Sequence, residues 1–291
     1  MSRQLLEEDR TVGSDVTPFG TRLRAAMDAR GPLCAGIDPH PSLLAAWGLS
    51  DDPSGLERFA LTATEALAPQ VSMVKPQSAF FERHGSRGIA VLEQVIALSR
   101  EAGAIVLLDG KRGDIGSTVR AYADAYLEPS SPLFVDAVTA HPYLGYGSLR
   151  PFFDSADRFG CGVFVLALTS NPEGPEVQAA RQSDGRTVAG SLLDRIAAAN
   201  AGADPLGSVG AVVGATVGET GEDFARLNGP ILAPGFGAQG GTAADLKRIF
   251  GAGLPHVLPA TSRGLLQAGP SMRGLREAAA RTAGELAAVL T

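Results

Sequence analysis

Short apolar runs recur along this chain, each ending abruptly in charged, hydroxylated or glycine-rich residues, with amphipathic stretches between them. The runs cover residues 33–37, 71–74, 104–108, 133–138, 162–168, 209–215, 230–233 and 256–260. Each is too short for a helix and too uniformly apolar for a half-exposed strand, so each predicts a strand buried on both faces, as in a parallel sheet. Phe19, Leu23, Ala26 and Met27 fall at helical spacing and predict a helix over 19–29. Further helices are predicted over 56–67, 88–102, 117–127, 187–201 and 272–290.

Eight strands alternating with helices in 291 residues match the length and order of one (β/α)8 TIM barrel. The expected organisation is a loose tail over 1–17 and a single catalytic barrel domain over 18–291. Length alone would also allow two smaller domains. An open doubly wound sheet is the topological alternative, but no Gly-x-Gly-x-x-Gly opens a first helix and no acidic residue is placed for a ribose.

Composition narrows the function. Net charge is −6 with no basic tract and aromatics are 6%, which argues against a nucleic-acid surface. No stretch approaches the roughly 18 apolar residues of a membrane span, and residues 1–16 are polar and acidic, unlike a secretory signal. The expected location is the cytoplasm. Cys34 and Cys161 lie within strand-like runs and are expected to be buried, inert thiols.

The densest chemistry follows the third run, in Asp109-Gly110-Lys111-Arg112-Gly113-Asp114-Ile115-Gly116-Ser117-Thr118. Charge at the end of a buried strand is costly unless it serves a site. Asp109 and Lys111 are two apart, so a persisting extended conformation would project them to one side. The structural alternative is an ion pair, with Asp114 capping the next helix. Lysine usage favours a site: of 25 basic residues only Lys75, Lys111 and Lys247 are lysines and the rest are arginines. Arginine keeps its proton in a protein, whereas lysine can be tuned to give one up. Lys75 and Lys111 both stand where a strand ends.

On the barrel reading Asp38, Lys75, Asp109, Lys111, Ser170, Gln239 and Arg263 all fall at the C-terminal ends of strands, the catalytic face. They are expected to converge. The turn Pro234-Gly235-Phe236-Gly237-Ala238-Gln239-Gly240-Gly241 and Arg263 follow strands seven and eight, where barrels commonly bind phosphate. Gly235 and Gly237 would let backbone N–H groups approach an anion, and Arg263 offers a planar fork. His40, His84, His141 and His256 are scattered without a close pair, so no metal set is expected. Magnesium on the aspartates stays open as an alternative, with an interposed lysine a poor neighbour for a cation. Alternating carboxylates and ammoniums suggest acid/base or electrostatic chemistry without a cofactor.

Asp109-x-Lys111-x-x-Asp114-Ile115-x-x-Thr118 resembles the orotidine 5'-phosphate decarboxylase family. The resemblance extends through Asp38, Lys75-Pro76, Thr169-Ser170-Asn171-Pro172, the glycine-rich turn and Arg263, and points to the longer subfamily, with extra residues between Ser170 and Val209. It implies conversion of orotidine 5'-phosphate to UMP and carbon dioxide, in pyrimidine biosynthesis. Lys111 would protonate C6 of the pyrimidine, within a charged array completed by Asp109, Asp114 and Lys75. A homodimer with shared active sites is implied, Asp114 and Thr118 reaching the neighbouring site. Asp38 and Lys75 would hold ribose hydroxyls, Ser170 would read the pyrimidine edge, and Gln239 and Arg263 would grip the phosphate. A sister enzyme of the same barrel family, using magnesium on a sugar phosphate, is the nearest alternative.

Overall fold

Each apolar run becomes a strand with neighbours on both faces. In the computed structural model, which describes residues 16–290, the strands are β1 (Cys34–Ile37), β2 (Met73–Pro76), β3 (Ile105–Arg112), β4 (Ala137–Ala140), β5 (Gly162–Leu168), β6 (Val209–Val213), β7 (Ile231–Pro234) and β8 (Val257–Thr261). Each pairs in parallel with the next, and β8 returns to β1 through Cys34↔Ala260 and Ala35↔Thr261, closing a single (β/α)8 barrel. Of the tail expected over 1–17, residues 1–15 lie outside the described residues.

Side chains alternate across each strand, which sorts the core into two layers. Cys34, Met73, Ile105, Leu107, Ala137, Phe164, Val212, Leu232 and Leu258 form the inner one. Ala35, Val74, Val106, Leu108, Val138, Val163, Ala211, Ile231 and Val257 belong to the outer layer, beneath the helices. This parity fixes which later residue on each strand faces the interior.

Helix α1 (Phe19–Arg30) closes the N-terminal end of the barrel. Its Phe19, Leu23 and Met27 join the inner layer, and full burial of such side chains contributes roughly 1.5–3 kcal/mol each. The Phe19 ring meets Phe164 edge-on, 6.0 Å between centroids. Gly162 makes room for it, since a Cβ there would stand 2.4 Å from the Phe19 ring. Arg22 fastens the helix to the strand ends, donating to Asp136 at 2.6 Å and to the Gly160 carbonyl at 2.7 Å.

The structure departs from the sequence expectation in several places, of which two bear on the barrel wall. The strand expected over 133–138 begins only at Ala137, because Ser131 and Pro132 start a turn and the Asp136 carboxylate accepts the Val106 N–H. A helix over Arg150–Phe159, which follows β4 in the chain and is not expected from the sequence, buries Phe152, Ser155 and Ala156, and a helix over Ala243–Phe250 after β7 is likewise not expected.

Candidate active site

Continuing the inward parity one step beyond Met73, Leu107 and Ala137 gives Lys75, Asp109 and Thr139. All three are buried at the C-terminal mouth of the barrel. Lys75 Nζ donates to Asp109 Oδ2 at 2.9 Å and Lys111 Nζ to Asp109 Oδ1 at 2.6 Å. Asp38 Oδ1 lies 3.9 Å from Lys75 Nζ and, though buried, accepts no hydrogen bond. A lysine–aspartate–lysine row results, with a second carboxylate at its edge.

Burial and charge oppose each other here, and charge wins. Burial alone would raise the Asp109 carboxyl, but Lys75 and Lys111 hold it well below the usual carboxylate range. Burial alone would lower the Lys75 ammonium, but Asp109 and then Asp38 hold it above the usual lysine value. A depressed carboxylate stabilises the fold above its unfolded value, and that contribution is lost as pH falls through the folded one. Asp109→Asn should therefore cost about 3–5 kcal/mol at neutral pH. The difference from the native protein should shrink as pH drops below roughly 4, the unfolded carboxylate value. Denaturant unfolding of both proteins across pH checks this; an undiminished difference at low pH would detach the array from acid denaturation.

Lys111 reaches Asp109 by a route the extended-strand argument did not contain. Leu108 pairs with Val138 and Arg112 with Ala140, so three residues of β3 stand opposite Thr139 alone. This is a bulge, a device that re-aims side chains. Lys111 occupies it at φ 45°, a left-handed conformation unusual for a side chain with a Cβ. Its side chain emerges partly exposed to the mouth, while Arg112 turns outward to Glu82, the Tyr126 hydroxyl and the Gly110 carbonyl.

A cavity of about 230 Å³ opens over the row. Asp38, Lys75, Asp109, Lys111, Ser170, Gly235 and Gln239 all line it, as the sequence suggests. Leu166, Leu168, Val212 and Leu232 supply an apolar wall, and Ser262 adds a buried hydroxyl without a partner. Gly235 sits at φ 98° where glycine alone is at ease, and a Cβ there would come within 3.3 Å of Gln239 Oε1. Arg263 lines an adjoining cleft with Asp38, His40 and Gln239.

Three residues singled out in the sequence stand apart. Gly237 does not line the cavity, and its N–H donates to the Gly241 carbonyl at 2.8 Å, inside the turn. Asp114 accepts the Ile115 N–H at 2.8 Å, Thr118 is exposed on helix Gly116–Leu127, and neither joins the row within one chain. Asp114 is not the cap of that helix either, since Ile115 holds the position without a side-chain bond. Cys34 and Cys161 are buried, and burial pushes both thiols up to about 12.

A closed parallel barrel with alternating ammoniums and carboxylates at its C-terminal mouth defines a (β/α)8 enzyme suited to electrostatic and acid/base chemistry. Residues 31–277 match the model of the orotidine 5'-phosphate decarboxylase / HUMPS family, and the chain belongs to that family. The orotidine 5'-phosphate decarboxylase of Salinispora arenicola is 66% identical over 94% of this chain and 98% of its own length. That of Streptomyces coelicolor is 60% identical over 94% and 99%. A crystal structure from Streptomyces avermitilis superposes with TM-score 0.93 at 60% identity, covering 96% of this chain and 98% of that one. The Leishmania donovani OMP decarboxylase structure gives TM-score 0.73 at 30% identity, over 94% and 99%.

Proposed function

We propose that this protein decarboxylates orotidine 5'-phosphate to UMP and carbon dioxide, with Lys111 delivering the proton to C6 of the pyrimidine. The observation that carries the reading is the Lys75–Asp109–Lys111 row, buried beneath a cavity that Asp38, Ser170 and Gln239 also line. When the bond from C6 to the carboxylate breaks, its electron pair stays in the ring plane, where no carbonyl is placed to delocalise it. The site has to stabilise localised negative charge. An ammonium already fixed by Asp109 does this without reorganising at the moment of reaction. Lys111 then gives one N–H proton to C6, is left as the amine, and regains a proton from water at the mouth.

The remaining groups bind. Asp38, with a buried oxygen lacking a partner, suits a ribose hydroxyl, and Lys75 stands beside it. Ser170 faces the cavity from the end of β5 and would read the pyrimidine edge, while Gln239, Gly235 and Arg263 would take the phosphate. Phosphate binding far from the breaking bond supplies energy for closing the loops over the site.

The reading includes a homodimer in which Asp114 and Thr118 enter the partner's site. In one chain Asp114 meets nothing in the row; its neighbour Ile115 exposes 61% of its surface, and Tyr143 and Leu144, on the loop whose His141 abuts Gly113, expose 77% and 50%. Exposed apolar groups on two adjoining loops suit a second copy of the chain.

The ultraviolet absorbance of orotidine 5'-phosphate, followed with purified protein in EDTA, tests the function. Rapid loss of the orotate chromophore is expected. No change in EDTA, with turnover of a sugar phosphate once magnesium is restored, would assign the chain to the sister activity instead.

A further inference from the structure

Asp109 and Lys111 share one further partner, which lies outside the charged row. Thr139 is 1% exposed, and its hydroxyl makes two hydrogen bonds at once. It accepts the Lys111 backbone N–H at 2.9 Å and donates to Asp109 Oδ1 at 2.9 Å. Asp109 Oδ1 is the same oxygen that accepts from Lys111 Nζ. One hydroxyl therefore touches the proton donor's backbone and the carboxylate that aims its side chain.

The bulge explains why a side chain is needed there. Between Leu108↔Val138 and Arg112↔Ala140 the β3–β4 ladder is interrupted, and Lys111 is held at φ 45°. A strained conformation persists only where its surroundings over-determine it. The Thr139 hydroxyl stands in for the missing ladder partner of the Lys111 N–H. The residues flanking the bulge are held by backbone bonds, the His141 N–H donating to the Arg112 carbonyl at 2.9 Å. The central pairing rests on the Thr139 side chain.

We propose that Thr139 is the positioning residue for Lys111: its hydroxyl locks the β3 bulge and orients Asp109, so that the ammonium stands ready for the carbanion. Thr139 itself would touch neither the pyrimidine nor the phosphate, so its effect belongs to the chemical step. The inference rests on the decarboxylase reading.

The test compares Thr139→Val, which keeps the shape and removes both hydrogen bonds, with Thr139→Ser, which keeps the hydroxyl. Misplacing a catalytic group by about an ångström costs on the order of 10²-fold, so Thr139→Val should lower kcat by about that factor while KM and UMP affinity change by less than about threefold. Thr139→Ser should retain kcat within about fivefold, because both hydrogen bonds can re-form. Unchanged kcat in Thr139→Val with a lower melting temperature would leave Thr139 a fold-supporting residue only and overturn the proposal. So would a loss in Thr139→Ser as large as that in Thr139→Val. Should the valine protein not fold, Thr139→Ala replaces it in the same comparison with serine. Native protein inactive on orotidine 5'-phosphate would count against the decarboxylase reading itself, which separates the two failures.

Discussion

Lys111→Ala is expected to abolish decarboxylation while leaving UMP bound about as tightly as before. A positioned proton donor is worth roughly 10²–10⁴ in rate and a preorganised charge roughly 10²–10³, so the combined loss is on the order of 10⁵-fold. Affinity should survive because the groups proposed to bind the nucleotide lie elsewhere, Asp38, Gly235 and Gln239 around the cavity and Arg263 in the adjoining cleft. The fold should survive as well. Asp109 keeps its 2.9 Å bonds from Lys75 and Thr139, and the lost side chain is partly exposed. Absorbance assays at high enzyme concentration, beside calorimetric titration with UMP, separate the two quantities. Turnover within tenfold of the native protein would remove Lys111 from the role of acid.

The second large effect concerns two inactive proteins that repair one another. Asp114→Ala alone is expected to be nearly inactive, because the row would lack its far carboxylate. If Asp114 serves the partner's site, a dimer of one Lys111→Ala chain and one Asp114→Ala chain holds one site with both defects and one with neither. Random reassortment makes half the dimers mixed, so the mixture should recover about a quarter of native activity. Co-expression with two affinity tags, followed by the same absorbance assay, measures this. Absence of recovery in purified mixed dimers would place Asp114 in its own chain's site.

Much of this was legible in the sequence, for physical reasons that can be traced. The strands showed because each apolar run ends in residues that cannot be buried for nothing, and every expected strand was found, seven of the eight close to their expected starts. Lys75 and Asp109 stood out as charges where apolar runs end, Lys75 also as one of three lysines, and the parity of β2 and β3 turns both inward. Lys111 meets Asp109 as expected, but by another route: alternation on an undisturbed strand does not describe a residue at φ 45° in a bulge. Bulges leave little trace in composition. Thr139 was passed over because a threonine in a strand is an ordinary β-former, although the parity that buries Ala137 also turns residue 139 inward. The glycine-rich turn was recognised as a unit, yet which amides face outward depends on bonds within it, and Gly237 spends its N–H on Gly241. Asp114 and Thr118 had no signal beyond family resemblance, since their expected partners belong to another copy of the chain.

The plug made by α1 bears on traffic. With Phe19, Leu23 and Met27 packed across the N-terminal end, the barrel is a cup and not a pipe. Among the described residues α1 fills that end, so the mouth over the charged row is the opening left for substrate, nucleotide product and gas alike. One mouth then serves three passengers, and a nucleotide held there would stand in the way both of the gas and of the next substrate.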